Sequence, residues 1–438
     1  LRRHRCRPCR RPRAAPASAR PTPARAADVR APCPASTPAS GLTVALALAL
    51  GLPAARAAAQ PGAVTVGVTA EGETGVVSNP RFQAAADSAD VLSRARAGLT
   101  IGRRSARTAF AVTTDGEIQH FQGAPDLSHT TYGTSAIADA RLTPRLDLRG
   151  TAGVRTSLSR DVVTGTGTAS AASGTSVLGT PDVGDTGVRV PGLTAGTLPL
   201  LPLSLSRTYT AQAGATYRTT PRTTVAADAS VDRIRYDASA LASGTSARVQ
   251  LTVAHQLTNA AGVSLTVDDQ RTQTGPSILT AESATLGWDT RLLGAAQLRL
   301  RAGAGAYAAP QHAPTLAPVG SAELGAAAFG GTWTVRYLRD VSPLLGVGQV
   351  LATDQAAAAY SRVAPGGLLL RAGVEQAWVR IPTTPGPRTV TSASFADVRR
   401  PIAGGLWIGA GASRRSRTED PTVRSQNIGL TAGYAGSW

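Results

Sequence analysis

From about Val64 onward the chain is built of segments of roughly ten residues with an apolar side chain at every second position. Leu146, Leu148, Ala152, Val154 and Leu158 alternate with Asp147, Arg149, Thr151, Arg155 and Ser157. Leu298, Leu300, Ala302, Ala304 and Ala306 alternate with Gln297, Arg299, Arg301, Gly303 and Gly305. A period of two places successive side chains on opposite faces of an extended strand, whereas a helix would need a period near 3.6. Each segment therefore has one greasy face and one wet face. A chain of 438 residues is long enough for one large sheet or for two smaller domains.

The alternation predicts an all-β fold of about 18 strands, with 16 as the alternative. The two least secure elements are a first strand at 63–70 and the Phe329-Gly330-Gly331 turn between strands at 319–329 and 332–340. Tight turns join strands in pairs at Leu142-Thr143-Pro144-Arg145, Thr219-Thr220-Pro221-Arg222, Asn259-Ala260-Ala261-Gly262, Ala364-Pro365-Gly366-Gly367 and 401–405. There proline fixes φ and glycine supplies positive φ. Longer polar stretches separate the pairs, among them 71–90, 115–129, 159–204, 271–280 and 341–349. Short turns at one end and long loops at the other are the asymmetry of a transmembrane antiparallel β-barrel, with periplasmic turns and extracellular loops. An even strand count puts both ends of the sheet on the periplasmic side.

Residues 1–40 are Arg, Pro and Ala without periodicity and are expected to be disordered or untranslated. All 45 basic residues counted as Lys+Arg are Arg, and eleven lie before position 60 with only Asp28 to balance them, so the net charge of +18 overstates how basic the remainder is. An arginine arm for nucleic acid is the less favoured reading, because no aromatic residue is interleaved. The run Leu42–Leu52 is too short to span a bilayer as a helix. With Ala57-Ala58-Ala59 after it, residues 41–59 read as a secretory signal peptide, which leaves 60–438 as the barrel. Cys6, Cys9 and Cys33 all precede that site, so no cysteine is exported.

The last strand carries the resemblance to a known class. Ile428, Leu430, Ala432, Tyr434 and Trp438 share one face, and Trp438 is the final residue shown. This resembles the C-terminal recognition strand of Gram-negative outer-membrane β-barrel, porin-like proteins. The resemblance covers about 60–438. It implies an outer-membrane location, a lipid-embedded exterior, and Tyr434 and Trp438 as a signal read by the barrel-insertion machinery. Aromatics make up only 4% of the chain, so the interfacial girdles should be thin. Tyr132, Tyr209, Tyr217, Trp288, Trp333, Tyr337, Trp378 and Tyr434 are the candidates.

On the wet face, parity points Arg94, Arg96, Arg145, Arg149, Arg155, Arg248, Arg299, Arg301, Arg336 and Arg371 inward, with Arg141 and Arg222 also on that parity. Asp147 and Glu375 are pore-lining candidates with them, and Asp139, Asp228, Asp232, Asp268 and Asp289 also face inward. Rings of charge set pore selectivity, so the excess of arginine predicts a porin-like channel for small polar solutes that leans toward anions. Alternatively these charges only satisfy one another, Asp147 with Arg149 and Arg371 with Glu375, and the barrel serves structure, adhesion or envelope assembly. The gap 159–204 lies where classical porins fold a loop into the pore; a surface loop is the other reading. No catalytic, cofactor or metal site is expected. Ser128-His129 and His255 with Asn259 are the nearest approach to a hydrolase set. His120, His129, Asp115, Glu117 and Asp126 would share one solvated loop. Oligomeric state is not legible.

Overall fold

A computed structural model describes residues 64–80, 89–158, 205–237, 242–292, 296–310, 313–344, 349–380, 389–418 and 423–437. The residues expected to form a leader (1–40) and a signal peptide (41–59), the 159–204 gap and Trp438 lie outside the described residues.

The described chain is one sheet of 18 strands. In order they are β1 (Val64–Ser78), β2 (Ala89–Arg104), β3 (Thr108–Phe121), β4 (His129–Thr143), β5 (Leu146–Leu158), β6 (Leu205–Thr220), β7 (Thr223–Tyr236), β8 (Gly244–Gln256) and β9 (Ala261–Thr274). There follow β10 (Ser277–Leu292), β11 (Ala296–Ala308), β12 (Thr315–Ala328), β13 (Gly331–Leu344), β14 (Gln349–Val363), β15 (Leu369–Arg380), β16 (Thr389–Pro401), β17 (Leu406–Thr418) and β18 (Val423–Ser437). Each pairs antiparallel with its chain neighbours, and β1 pairs with β18 from Gly67–Ser437 to Ser78–Gln426, so the sheet closes. Closure leaves no edge with unpaired N–H and C=O groups, the condition for a sheet to sit in hydrocarbon. The count is 18, and both doubtful elements exist: β1 is a full strand, and Phe329 (φ 55°) with Gly330 (φ 70°) makes the left-handed two-residue turn that suits a tight hairpin.

Four turn-end hairpins share one local device. The hydroxyl of Thr143 accepts the N–H of Arg145 at 3.2 Å and of Leu146 at 3.0 Å. Thr220 does the same for Arg222 and Thr223, Ser105 for Arg107 and Thr108, and Thr258 for Ala260 and Ala261. Such side chains replace a backbone acceptor and fix the turn.

Strands run farther toward the loop end than the alternation predicts. β1 continues to Ser78, β3 to Phe121, and β9 and β10 meet across Gly275-Pro276, so much of the expected 71–90, 115–129 and 271–280 loops is sheet. In these extensions the outward positions are often Gly, Thr or Ala, which hides the alternation from a hydropathy reading.

One hairpin leaves the cylinder. β12 pairs with β13 only as far as Gly320–Arg339, and β14 pairs with β15 only from Ala352–Arg380, yet β13 and β14 stay paired out to Leu344–Gln349. The tip beyond Asp340 is therefore free of both neighbours. It folds onto the inner wall: Val350 (1% exposed) packs with Leu279 (0%) and Tyr307 (6%), bordered by Ala281, Ala309, Ala317 and Val341. Pro343 is also buried there. Three buried apolar side chains contribute about 1.5–3 kcal/mol each, enough to hold a short hairpin end in place.

Candidate functional site

The outward face is a band of exposed apolar side chains. Leu286 is 68% exposed, Ile428 66% and Leu430 65%, and Val76, Leu99, Ile118, Val231, Val249, Leu251 and Val335 continue the band around the cylinder. Water would tolerate isolated examples of these, but a continuous belt marks a surface meant for another phase. Aromatics rim it at two heights. Tyr132, Tyr209 and Trp378 lie toward the loops, and Tyr217, Trp288 and Trp333 toward the turns. Tyr209 and Tyr217 stand eight residues apart on one strand, or about 26 Å at 3.3 Å per residue, close to the height of an outer-membrane apolar band. Tyr434 is 5% exposed, its ring laid along Gly436, where an added Cβ would collide with it, and close to Gly405. A closed ladder with an apolar belt outside and a charged wall inside has one solvent it fits. This is a transmembrane β-barrel of the outer-membrane kind.

Comparison with known proteins bears on the fold alone. No family model and no curated relative matches the chain. Solved structures do. OccAB4 of Acinetobacter baumannii is 7% identical with a TM-score of 0.46, covering 86% of this chain and 99% of that one. OpdQ of Pseudomonas aeruginosa is 10% identical with a TM-score of 0.46, covering 86% and 98%. CdiB of Acinetobacter baumannii is 11% identical with a TM-score of 0.43; the match covers 86% of this chain and 61% of CdiB. The barrel assignment rests on the strand ladder and the exterior described above.

Inside, the charges are paired across strands. Arg94 on β2 reaches Glu73 on β1 at 3.1 Å and Glu117 on β3 at 3.2 Å. Arg96 and Arg155 converge on Asp115 at 3.5 and 3.8 Å. Arg149 meets Asp139 at 3.8 Å, and Arg141 and Arg218 share Asp147 at 2.9 and 3.4 Å. Farther round, Arg248 meets Asp268 at 2.6 Å, and Arg299 lies between Asp289 and Glu323 at 3.8 and 3.9 Å. Arg371 donates from Nε and Nη2 to the two carboxylate oxygens of Asp397, both at 2.8 Å, in the paired geometry that suits a guanidinium. Arg399 also reaches Asp397 at 3.2 Å and Glu71, three strands away, at 3.6 Å, while its guanidinium stacks 4.3 Å over the ring of Trp407.

The pairings differ from those expected. Asp147 takes Arg141 and Arg218 rather than Arg149, and Arg371 takes Asp397 while Glu375 takes an amide hydrogen of Gln355. Residues directly across the ladder lie closer than residues two apart on one strand, so cross-strand partners win at these two sites, although Arg399 also reaches Asp397 two residues away on its own strand. Arg145 does not line the wall. It occupies the turn between β4 and β5, where its carbonyl accepts the N–H of Arg218, and Arg222 holds the same place between β6 and β7. The remaining candidates sit on inward positions of their strands. Sequence parity missed the inward acids Glu71, Glu73, Asp115, Glu117, Glu323, Asp340 and Asp397, most of them in stretches read as loop or left out of the tally. These seven acids more than cancel the arginine excess of the parity count, and the inward Arg218 and Arg399, which parity also missed, restore part of it.

What is left uneven is local. Arg301 on β11 and Arg336 on β13 face inward and are exposed, and among the described residues no ion pair to a carboxylate is recorded for either. Arg336 lies on the strand that carries the inward-folded tip, whose Asp340 comes within electrostatic reach of Arg248 and Asp268 on β8 and β9.

The described histidines each hold a neighbouring oxygen. Ser128 Oγ lies 3.3 Å from His120 Nδ1 and accepts the N–H of Phe121 at 2.9 Å; His129 Nδ1 is 2.8 Å from the carbonyl of Leu127, and His255 Nδ1 is 2.9 Å from Thr223 Oγ1. Asp115 and Glu117 face the lumen from β3 rather than sharing a loop with them.

Proposed function

We propose that this barrel is a passive channel for small polar solutes in the outer membrane of a Gram-negative bacterium, favouring anions at one arc of its wall. The observation that carries the reading is the pair Arg301 and Arg336, inward and water-exposed with no ion pair among the described residues (Glu323, opposite Arg336 in the ladder, reaches Arg299), in a wall whose other arginines are largely neutralised. Barrels of 16–18 strands enclose an aqueous lumen, and free guanidiniums in it attract anions while paired ones contribute little field. The other pore-lining candidates, Arg94, Arg96, Asp147, Arg149, Arg155, Arg248, Arg299, Arg371 and Glu375, then serve chiefly to line the wall with fixed, hydrated dipoles.

The first 59 residues fit a leader ending in a signal peptide, and Tyr434 with Trp438 fits a recognition mark for barrel insertion. Replacing Trp438 by Ala should slow assembly into the outer membrane without lowering the stability of barrel already formed, as read by heat-modifiable migration over time.

A second reading, a barrel that conducts nothing and binds partners through its loops, is favoured by the packed hairpin tip and the dense ion pairs. Single-channel recording of the refolded chain in a planar bilayer separates the two. Stable ohmic steps support the channel. A folded, heat-modifiable barrel that never conducts supports the second reading.

A further inference from the structure

We propose that Arg207, Arg233 and Arg235 form a site on the outside of the barrel for the phosphate of a lipid headgroup in the outer leaflet. All three are exposed and lie on the outward parity of β6 and β7, shared with Tyr209 and Val231. Arg207 stands two residues beyond the girdle residue Tyr209 toward the loops, at the level where headgroups begin.

Three observations single these residues out. In the ladder Arg207 is directly opposite Arg235, and Arg233 is directly opposite Tyr209. Like charges facing one another across strands repel, and arginine on the lipid face of a barrel is unfavourable unless it reaches the interface. Two other outward arginines carry their own acid: Arg271 has Asp269 at 3.6 Å and Arg339 has Asp354 at 3.6 Å. Among the described residues no ion pair to a carboxylate is recorded for the β6–β7 trio; the one acid beside it is Asp237.

The trio also has a shape. It lines a hollow of about 470 Å³ with Tyr236, Asp237 and Ser243. The Arg235 guanidinium lies 6.0 Å from the centre of the Tyr209 ring, which steadies it over the girdle. Guanidiniums match phosphate oxygens in paired hydrogen bonds, so a phosphomonoester would relieve the repulsion of three converging cations. The site is outside the sheet and at headgroup height, so its ligand arrives from the membrane and not from the lumen.

The test is native mass spectrometry of the full chain in detergent, titrated with diphosphorylated lipid A, with the same glycolipid lacking phosphates, and with inorganic pyrophosphate. The expected result is selective retention of the phosphorylated glycolipid. The R207Q/R233Q/R235Q variant should lose roughly a hundredfold in affinity, and R235Q alone about fivefold, while R271Q binds as the parent does. Heat-modifiable migration reports folding, and R235Q carries the test if the triple variant fails to assemble. Equal retention of the glycolipid without phosphate, unchanged binding by the variants, or pyrophosphate binding as tightly as the lipid would each overturn the proposal.

Discussion

Two arcs of the same wall are built differently. From β1 to β6 the strands run in regular register to the loops, and inward arginines and acids form a chain of cross-strand pairs: Glu73, Arg94 and Glu117; Arg96, Asp115 and Arg155; Arg141, Asp147 and Arg218. From β10 to β14 the register is continuous but the pairing of β13 and β14 with their outer neighbours ends early. The hairpin tip leaves both neighbours and lies on the inner wall, and Arg301 and Arg336 stand in water without an ion pair among the described residues. On the channel reading, a barrel built this way neutralises most of its lumen and leaves what would act on a solute to one sector. Where an ion pair is made, the field it leaves is short-ranged; where it is not, the guanidinium remains available.

The most disruptive way to break this contrast is Val350→Asp. A carboxylate at a side chain 1% exposed, packed against Leu279, has no partner and costs several kcal/mol. Only the tip is free of its neighbours, so the tip should unseat while the barrel survives. Single-channel conductance should rise with heat-modifiable migration retained. Conductance equal to the parent's would mean the tip does not narrow the path.

Next in size is Arg371→Ala. Its side chain is 9% exposed and makes two charge-assisted bonds to Asp397, so its loss should lower stability by about 2 kcal/mol, with Arg399 still holding the carboxylate. Urea unfolding from lipid vesicles would show this as a lower midpoint. An unchanged midpoint would place the pair among contacts that add nothing.

A smaller effect belongs to Thr143→Ala. Removing the hydroxyl that accepts two turn N–H groups should cost about 1 kcal/mol, and Thr220→Ala should match it, since the two turns share their geometry. Unequal losses in the same urea assay would show that the shared device is not what holds both hairpins.

Arg141→Ala is the smallest. Its side chain is 42% exposed, and Arg218 also serves Asp147, so the change should stay within about 0.5 kcal/mol. A loss as large as that of Arg371→Ala would erase the distinction between tight and loose pairs.

How much of this was legible in the sequence follows from what alternation encodes. Leu146 to Leu158 and Leu298 to Ala306 show period two without interruption, and there the strands came out as found. Alternation fades where outward positions hold Gly, Ala or Thr, as in Glu71–Ser78 and Asp115–Phe121, so strand ends were read as loops and their acids were not counted. That error carried through to the charge balance. Parity also overran the turns at Arg145 and Arg222, because a proline and an arginine continue the pattern while the preceding threonine hydroxyl has already bent the chain. The inward-folded tip had no signal of its own. Whether Val350 packs against Leu279, some seventy residues earlier, depends on the β13–β14 hairpin outrunning its neighbours, a property of register and not of local composition.

The central claim is that selectivity resides in the two unpartnered arginines. The most direct test is the reversal potential of the refolded chain in a planar bilayer under a potassium chloride gradient, compared between R301Q/R336Q and R96Q/R155Q. The account predicts an anion-selective parent, loss of most of that selectivity in R301Q/R336Q, and little change in R96Q/R155Q, whose side chains are already committed to Asp115. Equal shifts in the two variants, or a cation-selective parent, would contradict it.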